Sequence, residues 1–194
     1  MPTPTRRLPK QDRREQLLDT ALEVVRARGA DELTLLTLAE AAGVSRPIVY
    51  DHFGTRPGLL LALYRRLAER HRAETARALA GAPPAPEAIA EVMSAAYFAC
   101  ATDMPEFTAI SAALKGNLEM ETRQRDLLDE YTELMAAALS PHSALDLDAL
   151  RLRCVGVLGA ADAIAAELNS GRITESAAVA ALADLIAGGL VPGR

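Results

Sequence analysis

The sequence predicts an all-α protein, and three observations carry that reading. Alanine and leucine dominate a chain in which 50% of the residues are hydrophobic, and both residues favour helix. β-branched runs are scarce, so no segment has the composition of a buried strand. Apolar residues recur at three- and four-residue spacing between glycine and proline breakers, which is the period of a helix face. A chain of 194 residues suits one compact domain, or a small domain fused to a larger one.

Taken in order, the first helix is expected over 12–28, with Leu18, Leu22 and Val25 as its inner stripe. Next, Leu35, Leu38, Ala39 and Ala42 share one face of a short helix. Thr34 suits its N-cap, while Thr37 with Glu40 makes a rival capping box three residues on. Gly43 stands where the helix end needs left-handed backbone. Ser45 then suits the N-cap of a second short helix, and Pro47 its first turn. At about 100° per residue, Val49 and Phe53 face inward on that helix, and Pro47, Ile48 and Asp51 face the opposite way. Arg46 and Tyr50 lie on one edge and His52 on the other.

A short helix, a glycine turn and a second helix with such an outward set have the form of a DNA-reading helix-turn-helix. A plain αα-hairpin shares the apolar spacing, but the small tight loop, the Tyr50/His52 pair and the basic flank favour DNA binding. Arg46 can bind guanine bidentately or pair with phosphate, and Pro47 and Ile48 offer apolar contact to a thymine methyl. Tyr50 and His52 can donate to phosphate oxygens. Asp51 either accepts from a cytosine amino group, orients Arg46 or another basic side chain, or repels wrong sites.

Thr55-Arg56-Pro57 opens a third helix, expected to run to about Leu79 with Leu59, Leu60, Leu63, Tyr64 and Leu67 on one side. A helix N-terminus carrying Arg56 suits a phosphate. His71, on the same helix, reads as a solvent-side or satisfied polar residue. The breaker over 81–86 sets the expected organisation: a DNA-binding head with a basic arm over 1–54, a connecting helix over 55–80, and a ligand-binding and dimerisation domain over 81–194. Within that last domain helices are expected over 86–102, 105–115, 119–139, 146–169 and 174–187, with His142 in a loop. In the final two, Leu150, Val155, Leu158, Ile164 and Leu168 are expected to pack inward. Gly156, Gly159, Ala160 and Ala163 permit close helix approach, and with Leu182, Leu185 and Ile186 they predict a two-plus-two homodimer bundle.

The net charge of −5 is unevenly spread. Residues 1–80 hold 14 basic and 10 acidic side chains, and residues 81–194 hold 7 and 16. A basic head on an acidic body is the asymmetry expected of a DNA-binding protein. The arm bearing Arg6, Arg7, Lys10, Arg13 and Arg14 either reaches for phosphates or is a solvated tail. No glycine-rich phosphate loop, Cys-x-x-Cys or His-Glu-x-x-His spacing occurs, so neither an enzyme, a metal nor a cofactor is expected. No apolar run is long enough to span a membrane, and the polar, basic N-terminus does not read as a signal peptide, so a cytoplasmic location is expected. Cys100 and Cys154 fit a reducing compartment and read as small core residues. For a small-molecule site the candidates are Met93, Tyr97, Phe98, Phe107, Ser111, Tyr131, Met135 and Asp162. Asp162 stands out because 155–166 is otherwise uncharged, so burying it unpaired would be costly.

Several blocks together resemble the N-terminal domain of the tetracycline-repressor (TetR) family of bacterial regulators. They are a first helix ending in Arg28-Gly29, Thr34…Leu38-Ala39…Ala42-Gly43-Val44-Ser45, Tyr50-Asp51-His52-Phe53 and Thr55-Arg56…Leu59-Leu60. The resemblance covers roughly 13–64, and the closing stretch up to Leu190 is similar to the end of the family's last helix. It implies a homodimeric repressor of a palindromic double-stranded DNA operator, released when a small effector binds the C-terminal domain. It also implies phosphate contacts from Thr34, Tyr50, His52 and Arg56, with Ser45, Arg46, Pro47, Ile48 and Asp51 facing bases. The chain departs from the family's usual lysine at Arg56 and carries a larger apolar residue at Ile48. A transcriptional activator of the same fold and a helical adaptor that binds only protein are the alternatives.

Overall fold

The computed structural model describes residues 9–115 and 118–190, so Arg6 and Arg7 of the basic arm lie outside the described residues. Every element described is helical. The helices are α1 (Lys10–Arg28), α2 (Leu35–Ala41), α3 (Arg46–Phe53), α4 (Arg56–Ala80), α5 (Pro86–Asp103), α6 (Pro105–Leu114), α7 (Leu118–Leu139), α8 (Leu147–Asn169) and α9 (Glu175–Gly188). A single 3₁₀ turn, Ser140–His142, follows α7 and holds His142.

Local chemistry explains the short helices. Thr34 caps α2: its hydroxyl accepts from the Thr37 N–H at 3.0 Å, and the Thr37 hydroxyl accepts from the Thr34 N–H at 2.9 Å. The Thr37 hydroxyl is thus the second member of a box begun at Thr34, which settles the choice of start. Gly43 turns the chain with φ +62°, and the Val44 N–H returns to the Ala39 carbonyl at 3.0 Å. Gly54, at φ +67°, stops α3. Ser45 occupies the N-cap position of α3, yet its side chain makes no capping hydrogen bond.

The chain divides into two units. One comprises the residues up to Arg66 together with Glu106–Gln124, and the other comprises Leu67–Pro105 with the residues from Arg125 onward. The division falls within α4 and not at the 81–86 breaker, and 106–124 joins the N-terminal residues. Two contacts account for the second point. Arg26 of α1 donates from Nε and Nη2 to Glu106 Oε1 at 3.0 and 2.5 Å, and Phe107 stacks on Tyr64 of α4 at 4.9 Å. Glu106 is only 3% exposed, and a carboxylate so buried is tolerable only with a charged, hydrogen-bonded partner.

In the first unit, Leu17, Leu18, Leu38, Val49, Leu59, Leu60 and Leu63 form the core beneath α1, α2 and α3. In the second, α5 packs along α9, and α8 packs against both. Met93, Phe98, Leu150, Leu182 and Ile186 are buried in that core. The inward stripe of α8 is Leu150, Cys154 and Ala161, so Val155, expected inside, instead faces out and is 51% exposed, as is Leu152 at 72%. Both cysteines are buried, and burial pushes the Cys154 thiol up to about 11, which suits packing at Cys154. Among the described residues no helix is long and apolar enough to cross a membrane.

Gly58 is a constraint that periodicity does not reveal. A Cβ there would collide with the Phe53 carbonyl, which is backbone and cannot swing aside. Helix propensity alone would make Gly58→Ala stabilising by about 1 kcal/mol. The close approach predicts the reverse, a loss of about 1–3 kcal/mol in denaturant melts; a gain would show that the α3–α4 turn relaxes freely.

Candidate nucleic-acid interface

The eight residues of α3 divide cleanly between core and solvent. Val49 is fully buried and Phe53 is 8% exposed, as the spacing predicts. Ser45, Arg46, Pro47 and Asp51 are exposed, Tyr50 is 53% exposed, and Ile48 and His52 are half-buried. The set expected to face outward and its two edges are therefore exposed or half-exposed to solvent. The Ser45 hydroxyl, unused as a cap, is on this same surface.

Two of the expected phosphate contacts have prior engagements. Thr34 is half-buried and its hydroxyl belongs to the α2 cap. Arg56 donates from Nε to the Leu33 carbonyl and from Nη2 to the Ala30 carbonyl, each at 2.8 Å, and lies 3.8 Å from Asp31. The guanidinium thus ties the start of α4 to the loop between α1 and α2. A lysine ammonium lacks the planar fork that reaches two carbonyls at once, which gives a physical account of arginine at this position.

A second arginine, which sequence reading left within a basic run, does similar work at the other end of α3. Arg14 donates to the His52 carbonyl at 2.7 Å and places its guanidinium 4.8 Å over the Phe53 ring. A cation at a helix C-terminus is favourable in itself, and the stacking adds to it. No sequence pattern distinguishes Arg14 from Arg13, because the distinction depends on where α3 lands beside α1.

The expected small-molecule residues separate. Phe107 and Ser111 belong to the first unit, where Phe107 stacks on Tyr64 and the Ser111 hydroxyl accepts from Gln124 at 2.6 Å. Met93, Phe98, Tyr131 and Met135 are buried in the core of the second unit. Asp162 is exposed on α8, contrary to the burial expected of it, and accepts a 2.5 Å hydrogen bond from the half-buried Tyr97 hydroxyl. Burial raises the Tyr97 phenol above its ordinary value, and the Asp162 carboxylate raises it further, so Tyr97 stays a donor. His71, expected as a solvent-side or satisfied polar residue, is not on the solvent side: it is 8% exposed and stacked 5.1 Å from Tyr131, and burial holds its imidazole below the usual histidine range.

If Arg56 clamps the loop, Arg56→Ala should lower the unfolding free energy by about 2–3 kcal/mol, because two carbonyls lose a charged donor. A change of less than about 0.5 kcal/mol, the scale of an ordinary surface substitution, would remove that role.

Residues 17–63 match the family model described as bacterial regulatory proteins, tetR family. The chain is 43% identical over 60 residues to the HTH-type transcriptional activator FasR of Mycolicibacterium smegmatis, a match covering 31% of this chain and 27% of the relative. It is 38% identical over 86 residues to the HTH-type transcriptional regulator BetI of Burkholderia thailandensis, covering 44% of each chain. The matched stretch therefore spans less than half the length of these curated relatives. Over nearly the whole chain the fold is similar to the crystal structure of the transcriptional regulator FadR from Bacillus subtilis in complex with stearoyl-CoA. That similarity has a TM-score of 0.72 and 16% identity, and it covers 90% of this chain and 98% of the other. Residues 17–63, which include the helix-turn-helix of α2 and α3, are thus similar to the DNA-binding segment of the tetR family of bacterial regulatory proteins.

Proposed function

We propose that this protein is a homodimeric transcriptional repressor that binds a palindromic DNA operator and is released by a small molecule. The observation that carries the reading is the two-sided α3: Val49 and Phe53 are buried while Arg46, Pro47, Tyr50 and Asp51 stand out from a basic head. Arg46 and Asp51 face base edges, and Pro47 with the half-buried Ile48 offers apolar contact to thymine. Tyr50 and His52 take the phosphate walls, with Ser45 at the helix entry. Arg56 and Thr34 support the reading in another way, by fixing the loop and the cap that hold α3 at its angle.

Support for a dimer comes from α8 and α9. Leu152, Val155 and Leu185 are exposed large apolar side chains, and a Cβ at Gly156 or Gly159 would meet only open space. An open groove of about 230 Å³ on this face is lined by Leu152, Gly156, Leu185 and Gly189 among others. A second copy seated there would bury these residues and present two α3 helices to half-sites roughly 34 Å apart. For the effector, the second unit offers Met93, Phe98, Tyr131 and Met135, with the Tyr97–Asp162 pair as a polar element. An apolar interior with a few hydroxyls and one carboxylate-bound phenol suits a largely apolar molecule with a polar end. The FadR neighbour, which carries stearoyl-CoA, is consistent with a ligand of that character.

Purified protein incubated with fragmented genomic DNA at about 0.15 M salt, where nonspecific binding is weak, should retain a near-palindromic sequence. Arg46→Ala should then cost about 1–3 kcal/mol and relax one base position in each half-site. No enrichment by folded dimer would instead favour an adaptor that binds protein. Leu152→Glu, placing a charge in the α8–α9 face, should shift the protein to monomer in sedimentation and weaken operator binding, while the helical circular-dichroism signal stays unchanged; a persistent dimer would exclude this face.

A further inference from the structure

Most charges of α8 and α9 are compensated within the chain. Arg151 pairs with Glu133 and Asp148, Glu167 pairs with Arg172, and Asp162 accepts from the Tyr97 hydroxyl. Glu175 lies in the first turn of α9, where the helix dipole favours an anion. Two charges of these helices remain, and they have opposite signs. Among the described residues the Arg153 side chain has no carboxylate partner and makes one hydrogen bond, a long one of 3.5 Å from Nη1 to the Gly189 carbonyl. Asp184 has neither an ion pair nor a side-chain hydrogen bond among the described residues.

Both groups stand on the uncovered side of the second unit. At about 100° per residue, Asp184 points about 160° away from the buried Leu182 and Ile186 that flank it. Its exposed neighbours on α9 are Ala180, Ala181 and Gly188, so it is the single charge on that face. Arg153 is exposed on α8 and lines the groove that Leu185 and Gly189 border from the α9 side. A second copy seated on this face would take water from both side chains. A charge desolvated without a partner is costly, and an opposite charge offsets that cost only where the two meet. In a two-fold contact each subunit presents to its partner what the partner presents to it, so a pairing made once is made twice.

We propose that Arg153 of each subunit pairs with Asp184 of the partner subunit, and that this doubled pair makes the α8–α9 face selective for a second copy of the same chain. The proposal rests on the dimer reading and adds to it the groups that choose the partner. The apolar contacts of Leu152, Val155 and Leu185 attract any complementary apolar face. The charges discriminate: a chain of the same fold without the matching signs would bring like charges together or leave Arg153 and Asp184 unpaired. Arginine suits this role, because its one long bond to Gly189 leaves the planar fork able to take both oxygens of a carboxylate. Asp162, the other carboxylate in the apolar part of α8, is already held by Tyr97 of α5.

The test compares the full-length wild type with Arg153→Asp and Asp184→Arg by sedimentation, and follows their mixtures by native mass spectrometry. Each single reversal sets like charges opposite each other at two places. Each variant alone should therefore dimerise about tenfold or more weakly than the wild type, with helicity unchanged. An equimolar mixture of the two should form one-to-one mixed dimers, because one contact is then native and the other is reversed in sign. Recovery on mixing also shows that both variants are folded. The double variant Arg153→Asp/Asp184→Arg should dimerise with itself and not with the wild type. Single variants as dimeric as the wild type overturn the proposal and leave the dimer reading intact, and so do weakened variants that fail to recover on mixing. If Asp162→Arg weakens the dimer and mixing with Arg153→Asp restores it, while Asp184→Arg has no effect, the pairing with Asp184 is overturned. A wild type that is monomeric at every concentration overturns the dimer reading as well.

Discussion

The head of this protein depends on the burial of two side chains. An isolated helix of eight residues is not stable in water, because nucleation costs more than so few hydrogen bonds return. The third helix exists because Val49 and Phe53 enter the core formed by α1, α2 and the start of α4. Burial of those two positions fixes the rotation of the helix, and the rotation puts Arg46, Pro47, Tyr50 and Asp51 outside. The same apolar contacts that make the fold therefore aim the chemistry. A substitution at Phe53 would disturb the exposed surface without being part of it.

Burial fixes rotation but leaves the two ends of the helix to be set, and each end has its own device. At the C-terminal end, Arg14 holds the His52 carbonyl and covers the Phe53 ring, Gly54 turns the chain, and Gly58 lets α4 pass close to the Phe53 carbonyl. At the other side of the motif, the Thr34–Thr37 box starts α2, and Arg56 binds the two carbonyls of the preceding loop. Each device satisfies backbone polar groups that helix ends otherwise leave exposed. Their positions explain why the arginines of this region do different jobs. Arg14 and Arg56 are held by main-chain carbonyls, whereas Arg46 is exposed on the outward surface.

The second unit follows another logic. Its core uses one face of α8 and α9 and leaves an apolar face of leucine, valine and glycine uncovered. Leu152, Val155 and Leu185 are the large apolar side chains exposed there. The buried polar residues described in this unit are His71, which stacks on Tyr131, with Thr75, Ser94 and Thr132. Part of that polarity is absorbed locally, since the Thr75 and Ser94 hydroxyls donate to carbonyls one turn back on their own helices.

The sequence by itself determined the helical class, the position of each helix to within about two residues and the inward and outward faces of α3. These are consequences of short-range chemistry: apolar spacing selects a helix and its buried side, and glycine, proline and cap residues mark the ends. Only the tertiary structure decided what depends on distant segments meeting. Arg56 is separated by over twenty residues from the carbonyls it binds, and Glu106 is eighty residues from Arg26. Val155 and Asp162 lie on the open side of α8 although an apolar run suggested an interior, because Leu150, Cys154 and Ala161 took the inward face. The grouping of Glu106–Gln124 with the residues up to Arg66 is of the same kind. A local pattern cannot encode such pairings, since each depends on where two helices come to rest against each other.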